Sequence, residues 1–228
     1  RIYAEGVAAR EDLARFIEDE KIDCHFEMTG RFTGAYRPKH YDRLAREAEF
    51  LNKHLDLGAE VVVRANQHKE VDTGLYHGGV VRPDIGGLHP GLLHQGILDR
   101  ALEAGVTVHG VTDVEGFLKD GDDFLITTSR GTTKARDLLV CTNGYTGKTT
   151  PWLQRRIVPI PSQIIATEPI PTETMRRLMP KGRMLGETRN TYHYYRPSPD
   201  GTCIIFGGRA GAGTDDPREK FKHLHNGL

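Results

Sequence analysis

The stretch Leu138 to Gly147, LLVCTNGYTG, decides how the rest of the chain is read. Leu138, Leu139 and Val140 are apolar residues that suit a buried strand, and they run into a small polar turn containing Gly144, with Tyr145 at its far side. A buried strand that opens so abruptly leaves backbone N–H groups facing a crevice at its carboxyl end. In open α/β sheets ligands bind there, often phosphate-bearing cofactors. The same residues also suit a core strand followed by an ordinary loop. The neighbouring segments have to decide between the two.

Just upstream, Val111 to Leu118, Phe124 to Ser129 and Thr133 to Val140 alternate, separated by Lys119-Asp120-Gly121 and Arg130-Gly131. That pattern predicts a β-meander feeding the opening strand. Before it, Pro90 starts a helix with Leu93, Ile97, Leu98, Ala101 and Leu102 apolar; Gly105 stops it and Val106 to His109 reads as a strand. Helix, one-glycine stop and short strand form the second half of a βαβ unit. Downstream, Arg156 to Thr167 is an extended segment whose Pro159 and Pro161 suit an edge strand or a crossing between domains. A short helix follows over Glu173 to Met179. Tyr192 to Arg196 and Cys203 to Gly207 then flank the turn Ser198-Pro199-Asp200-Gly201 and predict a hairpin.

Towards the start of the chain, Ala8 to Glu20 reads as a helix with Ala9, Leu13, Phe16 and Ile17 on one face. Phe26, Met28 and Phe32 alternate and suggest strands. Pro38 opens a helix whose Leu44, Ala48, Leu51 and Leu55 form an amphipathic stripe, with Gly58 as its stop and Ala59 to Arg64 as a strand beyond. Val71 to Gly91 carries six glycines and two prolines, leaving Gly79 to Arg82 as its one regular element. Such a stretch either is a glycine-rich surface connection or lets its backbone approach something closely. From Pro217 the chain reads as the start of a helix.

Composition removes several function classes. The 31 basic and 31 acidic residues cancel, so nothing predicts electrostatic capture of nucleic acid or of an anionic membrane. No apolar run approaches the roughly 18 residues that span a bilayer. Cys24, Cys141 and Cys203 are odd in number and far apart, which argues against a disulfide framework and for a reducing cytoplasm. None of the 11 histidines forms H-x-x-x-H, so no metal is expected. Gly208 to Thr214 has P-loop glycine spacing but lacks the lysine, no G-x-G-x-x-G occurs, and no serine sits in G-x-S-x-G. On the strand Tyr192 to Arg196, Tyr192, Tyr194 and Arg196 share one face, and His193 and Tyr195 share the other. The first face could wall an amine or carboxylate site, or could be tyrosines packed in a sheet with their hydroxyls at the rim.

Several stretches taken in order narrow these alternatives. YHGGVVRPDIGGLHP leads into the Pro90 helix and Gly105-Val-Thr-Val108; after the meander come ARDLLVCTNGYTG, RIVPIPSQIIATEPI and YYRPSPDGTCIIFGGR. The set resembles the central part of the D-amino-acid-oxidase-type (DAO) flavoproteins, and within them the γ-glutamylputrescine oxidoreductase-like group. The resemblance implies an α+β fold derived from α/β. Residues 88–150 would form a partial FAD-binding portion with the meander, and 1–87 and 151–228 two parts of a substrate domain with a mixed sheet. It implies oxidation of a C–H beside an amine nitrogen to an imine, with a small amine or amino acid as substrate. Val114, Thr142, Asn143 and Gly144 match cofactor-binding positions; Tyr192, Tyr194 and Arg196 belong to the roof of the substrate pocket, and no catalytic residue carries over. The family's N-terminal strand–GxGxxG–helix and its C-terminal flavin-covering segment find no match here. The expectation is therefore FAD in the intact protein and little or none on this chain, which would be inactive in isolation. Edges left uncovered by the missing segments would favour self-association. A non-catalytic α+β binding or interaction module that keeps the substrate-side sheet is the alternative.

Overall fold

The computed structural model describes residues 2–160, 162–209 and 216–227. Two compact units result, Arg1–Arg100 with Ser162–Leu228, and Ala101–Pro161. The first begins with α1 (Ile2–Asp19), which starts six residues earlier than the apolar pattern suggests. Ala4, Ala8 and Ala9 are strong helix formers, so propensity carries the first turns where packing does not. Ile17 is the one fully buried residue of α1, and it packs with Ile22 and Cys24.

Of the strands expected around Phe26 to Phe32, only β1 (Arg31–Gly34) forms, together with an isolated bridge between Glu27 and Gly87. Helix α2 (Pro38–Leu55) opens on Pro38 as expected and ends at Asp56, which adopts a left-handed conformation and donates its N–H to Asn52 O. The Asn52 amide then holds the departing chain at Ala59 from both sides, donating to its carbonyl at 2.7 Å and accepting from its N–H at 2.8 Å. Ala48 of the α2 stripe packs on Ala59 and Val80. Strand β2 (Glu60–Val62) is shorter than the expected Ala59–Arg64, because Arg64–Lys69 coils into a 3-10 turn. The glycine-rich stretch delivers β3 (Gly79–Arg82), and α3 (Pro90–Glu103) follows.

In the second unit the meander is present as β4 (Val114–Asp120), β5 (Asp123–Thr128) and β6 (Gly131–Ala135), antiparallel and in sequence order. Two expected strands are absent. Val106 to His109 carries no strand, and Val106 and Val108 are each 52% exposed. Leu138 to Cys141 carries none either; Leu139 is 85% exposed. Each segment has apolar residues suited to a strand but pairs with no strand among the described residues, and a strand exists only when paired. Helix α4 (Pro151–Gln154) is a single turn that sequence periodicity is too short to reveal.

Returning to the first unit, the chain forms β7 (Ser162–Ala166), α5 (Thr172–Leu178), β8 (Met184–Glu187), β9 (His193–Pro197), β10 (Ile204–Arg209) and α6 (Pro217–His225). The seven-stranded sheet has the order β2-β3-β1-β8-β9-β10-β7. Every pair is antiparallel except β1–β8, which is parallel with Thr33 opposite Gly186. Strand β7 lies at the edge, as its flanking prolines suggest. The core packs on one face of this sheet: Phe32, Val81, Leu185 and Ile204 from the strands meet Tyr76, Met175 and Met179. Each such side chain contributes about 1.5–3 kcal/mol by leaving water. The architecture is α+β, with one mixed and one antiparallel sheet. No helix among the described residues is long and apolar enough to cross a membrane.

Candidate functional site

Strand β9 sorts its side chains as the alternation requires. His193 and Tyr195 point to the packed face, Tyr194 and Arg196 to the other. On the packed face the Tyr195 hydroxyl meets the Tyr76 hydroxyl at 2.9 Å. Burial pushes the Tyr195 phenol up to about 12, and burial together with Tyr195 pushes Tyr76 far above the usual range. Glu187 is fully buried beside them. One of its carboxylate oxygens accepts from Arg189 Nε and from the His193 N–H at 2.9 Å; the other has no hydrogen-bond partner among the described residues. The Arg189 guanidinium lies 4.6 Å from the Tyr36 ring centroid. A cavity of about 200 Å³ opens here between Tyr76, Tyr195, Arg189, Leu178 and Phe206.

The opposite face is kept bare in its middle. Gly186, Tyr194 and Gly207 stand side by side across three neighbouring strands. A Cβ at Gly207 would collide with the Tyr194 ring, and a Cβ at Gly186 would collide with the Arg31 guanidinium. The two glycines therefore let these long side chains lie flat on the sheet. The Tyr194 hydroxyl shares a 2.7 Å hydrogen bond with Ser162 Oγ on the edge strand. The Tyr192 ring lies 6.0 Å from that of Tyr194, at 52°. Arg196 donates to the Leu88 carbonyl at 2.8 Å, so it tethers the chain that crosses this end of the sheet. The three residues expected from sequence thus lie together in one unit, with Tyr192 just ahead of the strand. Arg31, Ser162 and the two glycines join them from four other strands. Single-strand alternation could have put Arg31 and Thr33 on one face, but no local signal says which strand β1 would adjoin.

The second unit holds the residues matched to a cofactor. Val114 opens β4, and its carbonyl accepts from Thr149 Oγ1 at 2.9 Å. Thr142 leads into a 3-10 turn over Asn143–Tyr145, with Asn143 at φ 45°. The turn is closed by its own hydroxyls: Thr142 Oγ1 to Thr146 Oγ1 at 2.8 Å, and Thr146 Oγ1 to the Asn143 carbonyl at 2.6 Å. Nothing lies within 4 Å of a Cβ built on Gly144, and Tyr145 is 97% exposed. These residues do not fit FAD unaided. The Val114 carbonyl already accepts one hydrogen bond, the two threonine hydroxyls are turned in on the loop itself, and nothing lies over Gly144. The P-loop-like glycines after Gly208 fall largely on residues 210–215, outside the described residues. No cluster of metal-ligating side chains occurs among the described residues, and the three cysteines are free.

The fold is shared with solved structures of a glycine oxidase and an L-proline dehydrogenase. The glycine oxidase of Geobacillus kaustophilus superposes with a TM-score of 0.73 at 16% identity, covering 93% of this chain and 56% of that one. The L-proline dehydrogenase of P. horikoshii gives 0.70 at 19% identity, covering 97% and 62%. The chain belongs to the DAO family of FAD dependent oxidoreductases, which matches residues 1–227. Among curated relatives, a probable oxidoreductase OrdL of Rhizobium meliloti is 32% identical over 98% of this chain and 52% of its own length. The γ-glutamylputrescine oxidoreductase of Escherichia coli is 27% identical over 95% and 49%. The chain spans about half the length of these relatives.

Proposed function

We propose that this chain is the central portion of an FAD-dependent oxidoreductase that oxidises a C–H next to an amine nitrogen, giving an imine that water hydrolyses. FAD, when bound in the intact protein, supplies the hydride acceptor. Residues 88–150 belong to the cofactor side, with Val114, Thr142, Asn143 and Gly144 along FAD. Residues 1–87 and 151–228 form the substrate side, where Tyr192 and Tyr194 face a small amine or amino acid and Arg196 fixes the wall around it. The observation that carries this reading is the bare face around Tyr194, in a chain whose family match runs over residues 1–227.

The chain's own contribution is orientation. Tyr194, flattened on Gly207 and anchored by Ser162, presents a rigid aromatic surface with a fixed hydroxyl. A preset wall of this kind lowers the cost of aligning a substrate C–H with its acceptor. In isolation the chain is expected to hold little or no flavin and to turn nothing over. Gel filtration of the purified chain with added FAD tests this: flavin should elute apart from protein, and a stoichiometric flavin absorbance under the protein peak would overturn it. The activity itself is tested on a protein carrying this chain together with the remaining family segments. Anaerobic addition of an amine substrate should bleach the flavin band. A panel of amines and amino acids that leaves the band untouched would sink the oxidoreductase reading.

A further inference from the structure

We infer that Asn143 is a site of self-directed covalent modification. The Gly144 backbone nitrogen displaces the Asn143 side-chain amide, and the succinimide so formed opens to aspartate or isoaspartate. The inference is independent of the functional reading given above.

The step balances with water as its one co-reactant. A bond forms between Gly144 N and Asn143 Cγ, the Cγ–Nδ2 bond breaks, and ammonia leaves with the Gly144 amide proton. Water then adds to one of the two ring carbonyls. The reaction needs a backbone N–H free to lose its proton, a side-chain amide not held elsewhere, and no side chain crowding the ring.

The chain has five asparagines, Asn52, Asn66, Asn143, Asn190 and Asn226, and their surroundings separate them. The Asn52 amide is held from both sides by Ala59. Asn66 precedes Gln67, and Asn190 precedes the β-branched Thr191, so a side chain crowds the ring at each. Only Asn143 and Asn226 precede glycine. Of these two, Asn226 closes α6. Its own N–H goes to Lys222 O at 2.9 Å, and that of Gly227 goes to Leu224 O at 3.0 Å. A Cβ at Gly227 would meet the His193 ring, so this backbone is also packed. Gly144 differs on each count. Neither its N–H nor the Asn143 side-chain amide has a hydrogen-bond partner among the described residues. Both residues are exposed, and nothing lies within 4 Å of a Cβ built on Gly144. Asn143 also sits at φ 45°, in the left-handed region, which a residue with a Cβ leaves readily.

The product changes the turn. Isoaspartate routes the backbone through Cγ, so the former Asn143 carbonyl becomes a free carboxylate. That carbonyl now accepts from the Thr146 N–H at 3.2 Å and from Thr146 Oγ1 at 2.6 Å, two of the bonds that close the turn. The loop gains a negative charge and a longer main chain among the residues assigned above to the cofactor side.

The test is peptide mapping by mass spectrometry of the 228-residue chain, incubated at mildly alkaline pH either folded or in guanidinium chloride. Conversion at Asn143 is divided by conversion at Asn226 in each condition. This ratio should be about fivefold or more higher in the folded chain, the factor that one engaged backbone hydrogen bond supplies. Enzymatic methylation should find isoaspartate in the peptide that contains residue 143. In Gly144→Ala the added Cβ meets nothing in the fold but stands beside the attacking nitrogen. Most of the conversion at Asn143 should be lost there, with the circular dichroism spectrum unchanged. A ratio no higher folded than unfolded, a folded chain left unmodified at Asn143, or undiminished conversion in Gly144→Ala would overturn the inference. The measurement needs neither flavin nor turnover, so its failure leaves the oxidoreductase reading untouched.

Discussion

The seven-stranded sheet and the loop after the three-stranded meander both offer a short apolar strand sequence, and they treat it in opposite ways. In β1, Phe32 is fully buried between two hydrogen-bonded neighbours, with Val81 opposite on one side and Leu185 on the other. In Leu138 to Val140, Leu139 is 85% exposed and no ladder forms. The difference lies in the supply of partners rather than in the side chains. β1 is paired on both edges, so its polar backbone is satisfied and its apolar face is covered at once. The loop has the composition of a strand without the two neighbours that would make it one.

The largest test of this contrast compares truncations. Phe32→Ala should destabilise the fold by about 3–5 kcal/mol, whereas Leu139→Ala should stay within about 0.5 kcal/mol. Urea unfolding of both variants measures the gap, and equal losses would break the comparison. Next comes alkaline stability. The phenols of Tyr76 and Tyr195 are raised in the folded state, so neutral tyrosine is favoured there over the unfolded chain. That stabilisation is fully present below about pH 10, the ordinary phenol range. It fades as pH rises through about 12 for Tyr195. Unfolding free energies measured from neutral to strongly alkaline pH should fall across that window, and the Tyr195→Phe variant should lose part of the slope. A smaller effect separates two glycines. Gly207→Ala forces the Tyr194 ring off its seat and should cost about 1–3 kcal/mol as an overpacked substitution. Gly144→Ala meets nothing within 4 Å and should leave the melting temperature almost unchanged. Smallest of all is Thr149→Val, which removes one exposed hydrogen bond to the Val114 carbonyl. Its expected cost is below about 1 kcal/mol, read by thermal melting.

Elements whose information is local were legible in the chain. The α2 stripe, the Gly105 stop, the meander and the β9–β10 hairpin each follow from spacing or turn chemistry within a few residues. Strand β8 was not legible, because Met184-Leu-Gly-Glu187 is short and ends in a carboxylate that sequence reading places at the surface. That Glu187 is buried instead because Arg189 and the His193 backbone receive it. The candidate site divides the same way. Tyr194 and Arg196 follow from alternation along one strand. Arg31 enters only through the parallel pairing of β1 with β8, which no window of sequence contains. The residues matched to FAD, Val114 and Thr142 to Gly144, rest on ordered motifs alone, since the turn over Asn143–Tyr145 is exposed and its threonine hydroxyls bond within it.

The β1–β8 ladder also governs the order in which the protein can be built. Arg31 pairs with Met184, and nearly all the intervening chain, including the whole meander unit, separates them. On a ribosome, β1 and β3 can join early, but the middle of the sheet stays open until β8 and β9 have emerged. Phe32 must wait with one edge of β1 unpaired for most of synthesis. Closing so long a loop is entropically slow, and the waiting edge is a template for wrong pairing. The meander, with all its pairs local, has no such delay. Refolding from denaturant should therefore show a fast phase from the meander and a slow one from the seven-stranded sheet, with aggregation competing during the slow phase.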